Sequence, residues 1–207
     1  MKDTILYFSG NWYDDCDIME SILENVDFVS GTARKKMYKQ KAGTGGSMLF
    51  GLTWRGYLSK TKNRTKSKFK GLYKTKVMDD HPELEGIFKE FADTHFGGFH
   101  FTQVQMNKNF HCGKHFDSSN VGESILCAFG KKYKGGLTCV DYKDRIKKYD
   151  ARDHPVQFDG AKFEHWVEEW KGGDRYTLVF FDNLKKRKMI SRTLSLSDLE
   201  TDKTPLL

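Results

Sequence analysis

The stretch Asn109-Phe110-His111-Cys112-Gly113-Lys114-His115-Phe116-Asp117-Ser118-Ser119-Asn120 decides how this chain is read. Within it, His115-x-Asp117 sets an imidazole and a carboxylate two residues apart. In extended backbone, residues i and i+2 point to the same side, so both can reach one metal ion. A third donor stands downstream at His165. Two histidines and one carboxylate make the facial ligand set that leaves positions open on a non-haem Fe(II). Arg175 heads the apolar run Tyr176-Thr177-Leu178-Val179-Phe180-Phe181, where a guanidinium is placed to clamp a ligand carboxylate. A zinc site drawing on His111 and Cys112 would need two more ligands at suitable spacing, and the nearest cysteines fall on separate predicted strands.

The ordered set of His-x-Asp, a distal His and an Arg at the head of a strand resembles the Fe(II)/2-oxoglutarate-dependent dioxygenases. The likeness runs over residues 99–181, a little under half of the chain. Within that superfamily, the run from His115 through Asn120, Gly122 and Ser124, followed by Gly130 and by Gly135-Gly136-Leu137, looks most like the TET/JBP branch. Those enzymes oxidise the methyl group of pyrimidine bases. The resemblance implies Fe(II) held by His115, Asp117 and His165, and 2-oxoglutarate and dioxygen as co-substrates. It assigns the far carboxylate of 2-oxoglutarate to Arg175. Thr177, on the same strand face, keeps the hydroxyl of the Arg-x-Ser pairing found in relatives. In the related AlkB enzymes an Asn just before the His-x-Asp binds the other carboxylate, and Asn107 is the matching position here.

The chain has 207 residues and a mass of 24.0 kDa, enough for one domain with a full core. Aromatics at 14% and only three prolines speak against a disordered chain. Cys16, Cys112, Cys127 and Cys139 form no C-x-x-C pair. The apolar run at residues 5–8 is too short for a secretory core or a membrane span. An intracellular, reducing compartment with free thiols is expected, without a membrane partner.

The net charge of +7 is very unevenly placed. Between Phe28 and Met78 there is no Asp or Glu but there are fourteen Lys or Arg, which leaves 21 basic and 28 acidic residues elsewhere. Such segregation is the footprint of contact with a polyanion, although a solubilising surface loop would look similar. Its densest part, residues 55–76, spaces Arg55, Lys60, Lys62, Arg64, Lys66, Lys68 and Lys70 with hydroxyls, Asn and the aromatics Tyr57, Phe69 and Tyr73. Cations neutralise phosphates and aromatic rings stack on bases, so these residues are candidate nucleic-acid backbone contacts, with DNA favoured over RNA.

Taken in order, residues 5–8 read as a short strand. Residues 15–25 read as a helix, with an acidic start suited to a helix N-terminus. The glycine cluster at 42–47 is a turn and not a phosphate-binding loop, because the Lys-Ser/Thr ending is missing. Residues 48–54 read as a strand. Asp79-Asp80-His81-Pro82 signals a helix start, with Leu84, Ile87, Phe88 and Phe91 on one face and an end before Gly97-Gly98. Residues 99–110 alternate: Gln103, Gln105, Asn107 and Asn109 share one parity, Val104, Met106 and Phe110 the other. The apolar set should face a core, and the amides either solvent or a polar cavity. Asn109, His111 and Asn120 are candidate substrate contacts; the alternative for Asn120 is to orient the ligand loop, and for His111 a surface position. Residues 124–130 and 137–142 read as strands, 141–153 as a charged loop, and Asp159-Gly160 as a turn. Phe163 to Trp170 alternates again. Lys185-Lys186-Arg187-Lys188 is a phosphate contact, a nuclear address or a plain loop, and 195–207 a tail.

Short strands separated by Gly- and Asp-rich turns point to a mainly β fold with flanking helices (α+β), a double-stranded β-helix or jelly roll. It is expected as one domain, with residues 1–98 packed on a core at 99–182. A nucleobase oxygenase is the leading functional reading. The others are a prolyl or asparaginyl hydroxylase and a catalytically silent nucleic-acid-binding module.

Overall fold

Asn11 caps the first helix among the described residues. Its side-chain oxygen accepts the amide hydrogens of Tyr13 and Asp14, and α1 (Trp12–Glu24) follows, three residues earlier than the acidic pair suggests. The computed structural model describes residues 8–29, 45–55 and 71–183. Met19 and Leu23 bury one stripe of α1. Asp15 is buried too, and does not merely sit near the helix dipole. Its carboxylate accepts hydrogen bonds from Ser9 N, Gly10 N and the Ser9 hydroxyl, and pairs with His95 Nε2 at 2.9 Å.

After β1 (Gly46–Arg55) and β2 (Gly71–Lys74) comes a single-turn α2 (Lys76–Asp80). The sequence signal at Asp79-Asp80-His81-Pro82 thus marks a break between two helices. Proline disfavours helical geometry in the residue before it, and α3 (Glu83–His95) starts afresh beyond Pro82. Leu84, Phe88, Phe91 and Ala92 form its buried face.

The remaining strands are β3 (Gln103–Lys108), β4 (Val121–Phe129), β5 (Lys134–Gly135), β6 (Thr138–Asp141), β7 (Ile146–Tyr149), β8 (Val156–Phe158), β9 (Glu164–Val167), β10 (Trp170–Lys171) and β11 (Tyr176–Asp182). A six-stranded antiparallel sheet has the order β2-β1-β3-β11-β4-β8, a smaller one the order β7-β6-β9, and β5 pairs with β10. From β3 onward the chain alternates between the sheets. It leaves β3 for a bridge from His115 to β9, returns to β4, crosses to β6 and β7, returns to β8, crosses to β9, and ends on β11. This is the winding of a jelly roll, as the strand pattern predicts.

Alternation along the large sheet separates its two faces. Met48, Phe50, Leu52, Val104, Met106, Ile125, Cys127, Phe129, Leu178 and Phe180 pack with the helices in one apolar core. Phe180 lies within 5.1 Å of both Phe96 and Phe101, ring to ring. The opposite face looks toward the small sheet across a cavity. A second apolar cluster around Ala128, Val140, Ala151, Val156 and Phe158 ties the sheets together beside it.

The structure corrects several sequence expectations. The "charged loop" at 141–153 contains β7, an edge strand whose exposed lysines disguise it. Gly46 and Ser47 belong to β1 and not to a turn, and Phe8 lies in no strand. Asn109 has φ 49°, a left-handed conformation that ends β3 and takes its side chain off the face of Asn107. Residues 34–41, Lys60 to Lys70, Lys185 to Lys188 and the 195–207 tail lie outside the described residues, as does the side chain of Arg55. Among the described residues no helix is long and apolar enough to cross a membrane.

Candidate metal centre

His115 lies just beyond the roll's first strand, on a segment that pairs with β9. Its amide donates to the carbonyl of His165, and the amide of His165 donates back, both at 3.0 Å. That reciprocal pair aligns two residues fifty positions apart in sequence, and their rings stand 4.2 Å apart. Asp117 is fixed by its own amide, which donates to Gly160 O at 2.8 Å. Its carboxylate lies 3.7 Å from His115 Nε2 and 3.4 Å from His165 Nε2. One donor atom from each of the three residues falls within 4.8 Å of the others.

Backbone carbonyls determine which imidazole nitrogens face this point. His115 Nδ1 lies 2.7 Å from Gly113 O, and His165 Nδ1 lies 3.0 Å from Phe163 O. A carbonyl only accepts, so each Nδ1 carries a proton, and Nε2 is the ring nitrogen turned to the metal side. Phe158 packs edge-on against His165, with centroids 4.9 Å apart. Asn120 is buried; its amide group donates to Ser124 Oγ at 3.1 Å and reaches Asp117 Oδ2 at 3.5 Å. That geometry orients the ligand loop.

The centre opens into a cavity of about 750 Å³, lined along the large sheet by Gln103, Gln105, Asn107, Arg175, Thr177 and Val179. The predicted amide face therefore looks onto the cavity and not onto solvent. Asn107 donates to Thr177 Oγ1 at 3.0 Å and accepts from Ser47 Oγ at 2.6 Å. Arg175 is 4% exposed, with its guanidinium 5.4 Å from the Trp170 ring. One Nη donates to Gly136 O at 3.1 Å, while Nε is buried without a partner. No carboxylate among the described residues forms an ion pair with it. Burial pulls its pKa below the ordinary guanidinium value, opposed by Tyr133, Cys112 and Asp150.

Solved structures resemble this chain at low identity. A 2OG-Fe(II) oxygenase-family oxidoreductase from Burkholderia pseudomallei aligns over 80% of this chain and 76% of its own, at 18% identity and a TM-score of 0.46. A Pseudomonas putida prolyl-4-hydroxylase aligns over 82% and 86%, at 10% identity and 0.41. NgTET1, solved in complex with 5mC DNA, aligns over 81% and 68%, at 14% identity and 0.47. No family model and no curated protein matches the chain. At these scores the fold rests on this chain's own strand order, and the chemistry on its own side chains.

Two candidate substrate residues stand apart from the cavity lining. Asn109 clamps the Arg175 strand, accepting from Arg175 N at 2.8 Å and donating to Asp174 at 2.6 Å. His111 stacks near Trp170, 6.2 Å between centroids. Other residues escaped the sequence reading. A Cβ on Gly160 would sit 3.2 Å from His165 Cε1 and 3.3 Å from Asp117 Oδ2, so the bare position lets the ligands close up. A Cβ on Gly136 would meet Arg175 Nε at 2.9 Å. In the sequence Gly135-Gly136 carries only the family resemblance and Asp159-Gly160 only a turn signal, and neither points to Arg175 or to the ligands.

Proposed function

We propose that this protein is an Fe(II)/2-oxoglutarate-dependent oxygenase that hydroxylates a nucleic-acid base, at the methyl group of a pyrimidine. The observation that carries the reaction class is one cavity holding both the His115–Asp117–His165 set and a buried Arg175 whose Nε–H lacks an acceptor. The donors fit the group: two imidazoles presenting Nε2 and a carboxylate suit Fe(II) with open positions. The uncompensated guanidinium suits a carboxylate. A silent binding module would have no use for either.

When bound, iron with 2-oxoglutarate and dioxygen supplies the oxidising power, one oxygen atom ending in succinate, with carbon dioxide released, and the other in the substrate's hydroxyl. The chain's own part is to hold and to exclude. Gly113 O and Phe163 O keep both imidazoles in the ligating tautomer. Arg175 and Thr177 take the far carboxylate of 2-oxoglutarate, and Asn107, held by Ser47, stands beside Thr177 for the near one. Phe158 and Val179 give the cavity apolar walls.

The substrate class rests on charge and topology. The cavity runs along the strands from Arg175, beyond Lys108, toward Phe181, which pairs with Gln103. Arg55 and Gly71 pair with each other beyond Gly51, itself opposite Gln103. The chain that joins them, residues 56–70, has six Lys or Arg and no acid. That charge suits a polyanion, and the paired residues Arg55 and Gly71 stand toward the cavity end away from Arg175. A duplex base does not reach such a pocket unless flipped out, so a flipped or single-stranded base is the substrate form.

The test is succinate release by iron-loaded protein given 2-oxoglutarate with a 5-methylcytosine oligonucleotide or a proline-rich peptide. The oligonucleotide should stimulate turnover and gain one oxygen by mass spectrometry, and His165→Ala should abolish both. Stimulation by the peptide alone would defeat the nucleobase reading. Oligonucleotide affinity should also fall steeply between 50 and 200 mM salt, on the order of tenfold or more if a few phosphates are neutralised.

A further inference from the structure

The cavity end opposite Arg175 contains a polar group that nothing in the oxygenase reading uses. Gln103 is 1% exposed and lines the cavity. Its Nε2 donates to Leu52 O at 2.7 Å, while its Oε1 is buried with no partner. Turning the amide over would set Oε1 against the Leu52 carbonyl, two acceptors facing each other, so the protein fixes which end is free. Gly51, its cross-strand neighbour, adds no side chain on that face. Leu49, Val179 and Phe181 line the cavity around it. The result is a lone acceptor in an apolar recess, where it cannot switch to being a donor.

We infer that Gln103 selects for a substrate base carrying an amino group, as cytosine and adenine do, against a keto base such as thymine. The inference rests on the nucleobase reading above and narrows it. Cytosine presents an N–H donor at position 4, beside the 5-methyl carbon, whereas thymine presents a carbonyl oxygen there. With the methyl group turned to the metal centre, the position-4 substituent is the neighbouring group available to Oε1. An N–H there satisfies the buried acceptor; a carbonyl leaves two acceptors opposed.

The experiment uses the full chain and single-stranded oligonucleotides differing at one position: 5-methylcytosine, thymine, or 5-methylcytosine with both N4 hydrogens replaced by methyl groups. Product is measured by mass spectrometry on iron-loaded protein, and affinity by competition anisotropy on iron-free protein. 5-Methylcytosine should be favoured over thymine by about tenfold or more in both readouts, the scale of one base-specific contact. N4 dimethylation should remove the advantage, and Gln103→Met should bring cytosine and thymine together. Equal use of the two bases by the native protein, or a preference that survives Gln103→Met, overturns the inference alone. Should that variant fail to fold, the dimethylated base decides by itself. Turnover with a peptide and with none of the oligonucleotides overturns it together with the reading beneath it.

Discussion

The large sheet presents two faces built from the same strands, and they obey different rules. On the helix side the buried positions Met48, Phe50, Met106, Leu178 and Phe180 are apolar. On the cavity side the alternate positions include Ser47, Gln103, Gln105, Asn107, Arg175 and Thr177, all buried and all polar. Burying polar groups costs free energy unless each finds a partner. Most do: Asn107, Ser47, Thr177 and Gln105 bond to one another or to the Met48 carbonyl. Gln103 Oε1 and Arg175 Nε do not. The helix face stabilises the fold, and the cavity face spends some of that stability on groups left ready for ligands.

Substitutions on the two faces should therefore separate stability from binding. The largest effect belongs to the helix face. Phe180→Ala removes a fully buried ring packed among Phe88, Phe91, Phe96 and Phe101, and should cost about 3–5 kcal/mol in denaturant unfolding. A loss below about 1 kcal/mol would show that this face is not the main core. On the cavity face, Arg175→Met should reverse the pattern. Affinity for 2-oxoglutarate, measured calorimetrically, should fall about a hundredfold, in the range for losing one partner of a buried charge pair. Unfolding stability should hold or rise, because a desolvated and uncompensated cation is gone. A marked loss of stability with 2-oxoglutarate affinity intact would make Arg175 a structural residue.

How much of this was legible beforehand differs between the faces for a physical reason. Alternation in Val104, Met106, Leu178 and Phe180 announces a core face because apolar groups have one destination. The amide parity of Gln103, Gln105 and Asn107 announces only a polar environment, and solvent and cavity look alike until the small sheet is seen opposite. His115 and Asp117 were readable from local spacing, whereas His165 could be named only as an available third donor, since the bridge joining it to His115 spans fifty residues. Asn109 was misread because one left-handed residue breaks the period-two rule. β7 was misread because lysines on an edge strand resemble a loop. Asp15 looked like a dipole partner and proved to be a buried anchor.

That anchor gives a smaller prediction. Burial alone would raise the Asp15 pKa, but hydrogen bonds from Ser9, Gly10 and His95 outweigh it and hold the carboxyl below its ordinary value. A depressed folded-state pKa contributes stability that is fully present above the unfolded value, about 3.9, and is lost as pH falls through the folded one. Asp15→Asn should therefore cost about 1–3 kcal/mol near neutrality. The gap between native and variant proteins should close as pH drops below about 4. A gap that stays constant across that range would remove ionisation from the account.

The smallest effect tests the boundary between the two faces, at a residue with no side chain of its own. Gly160 has a negative or extended backbone angle, not a left-handed one, so alanine is admissible there on conformational grounds. Its methyl group would meet His165 Cε1 at 3.2 Å and Asp117 Oδ2 at 3.3 Å, closer than neighbours comfortably pack. The strain falls on two of the three proposed ligands and on little else. Gly160→Ala should weaken Fe(II) or Co(II) binding by about tenfold, at the lower end of what disturbing a ligand's surroundings does. Its unfolding curve, measured without metal, should shift by less than about 1 kcal/mol, as expected of a change outside the packed core. If stability falls and metal affinity does not, the closeness at Gly160 serves the junction of the sheets. In that case the ligand set tolerates a wider arrangement than the one seen here.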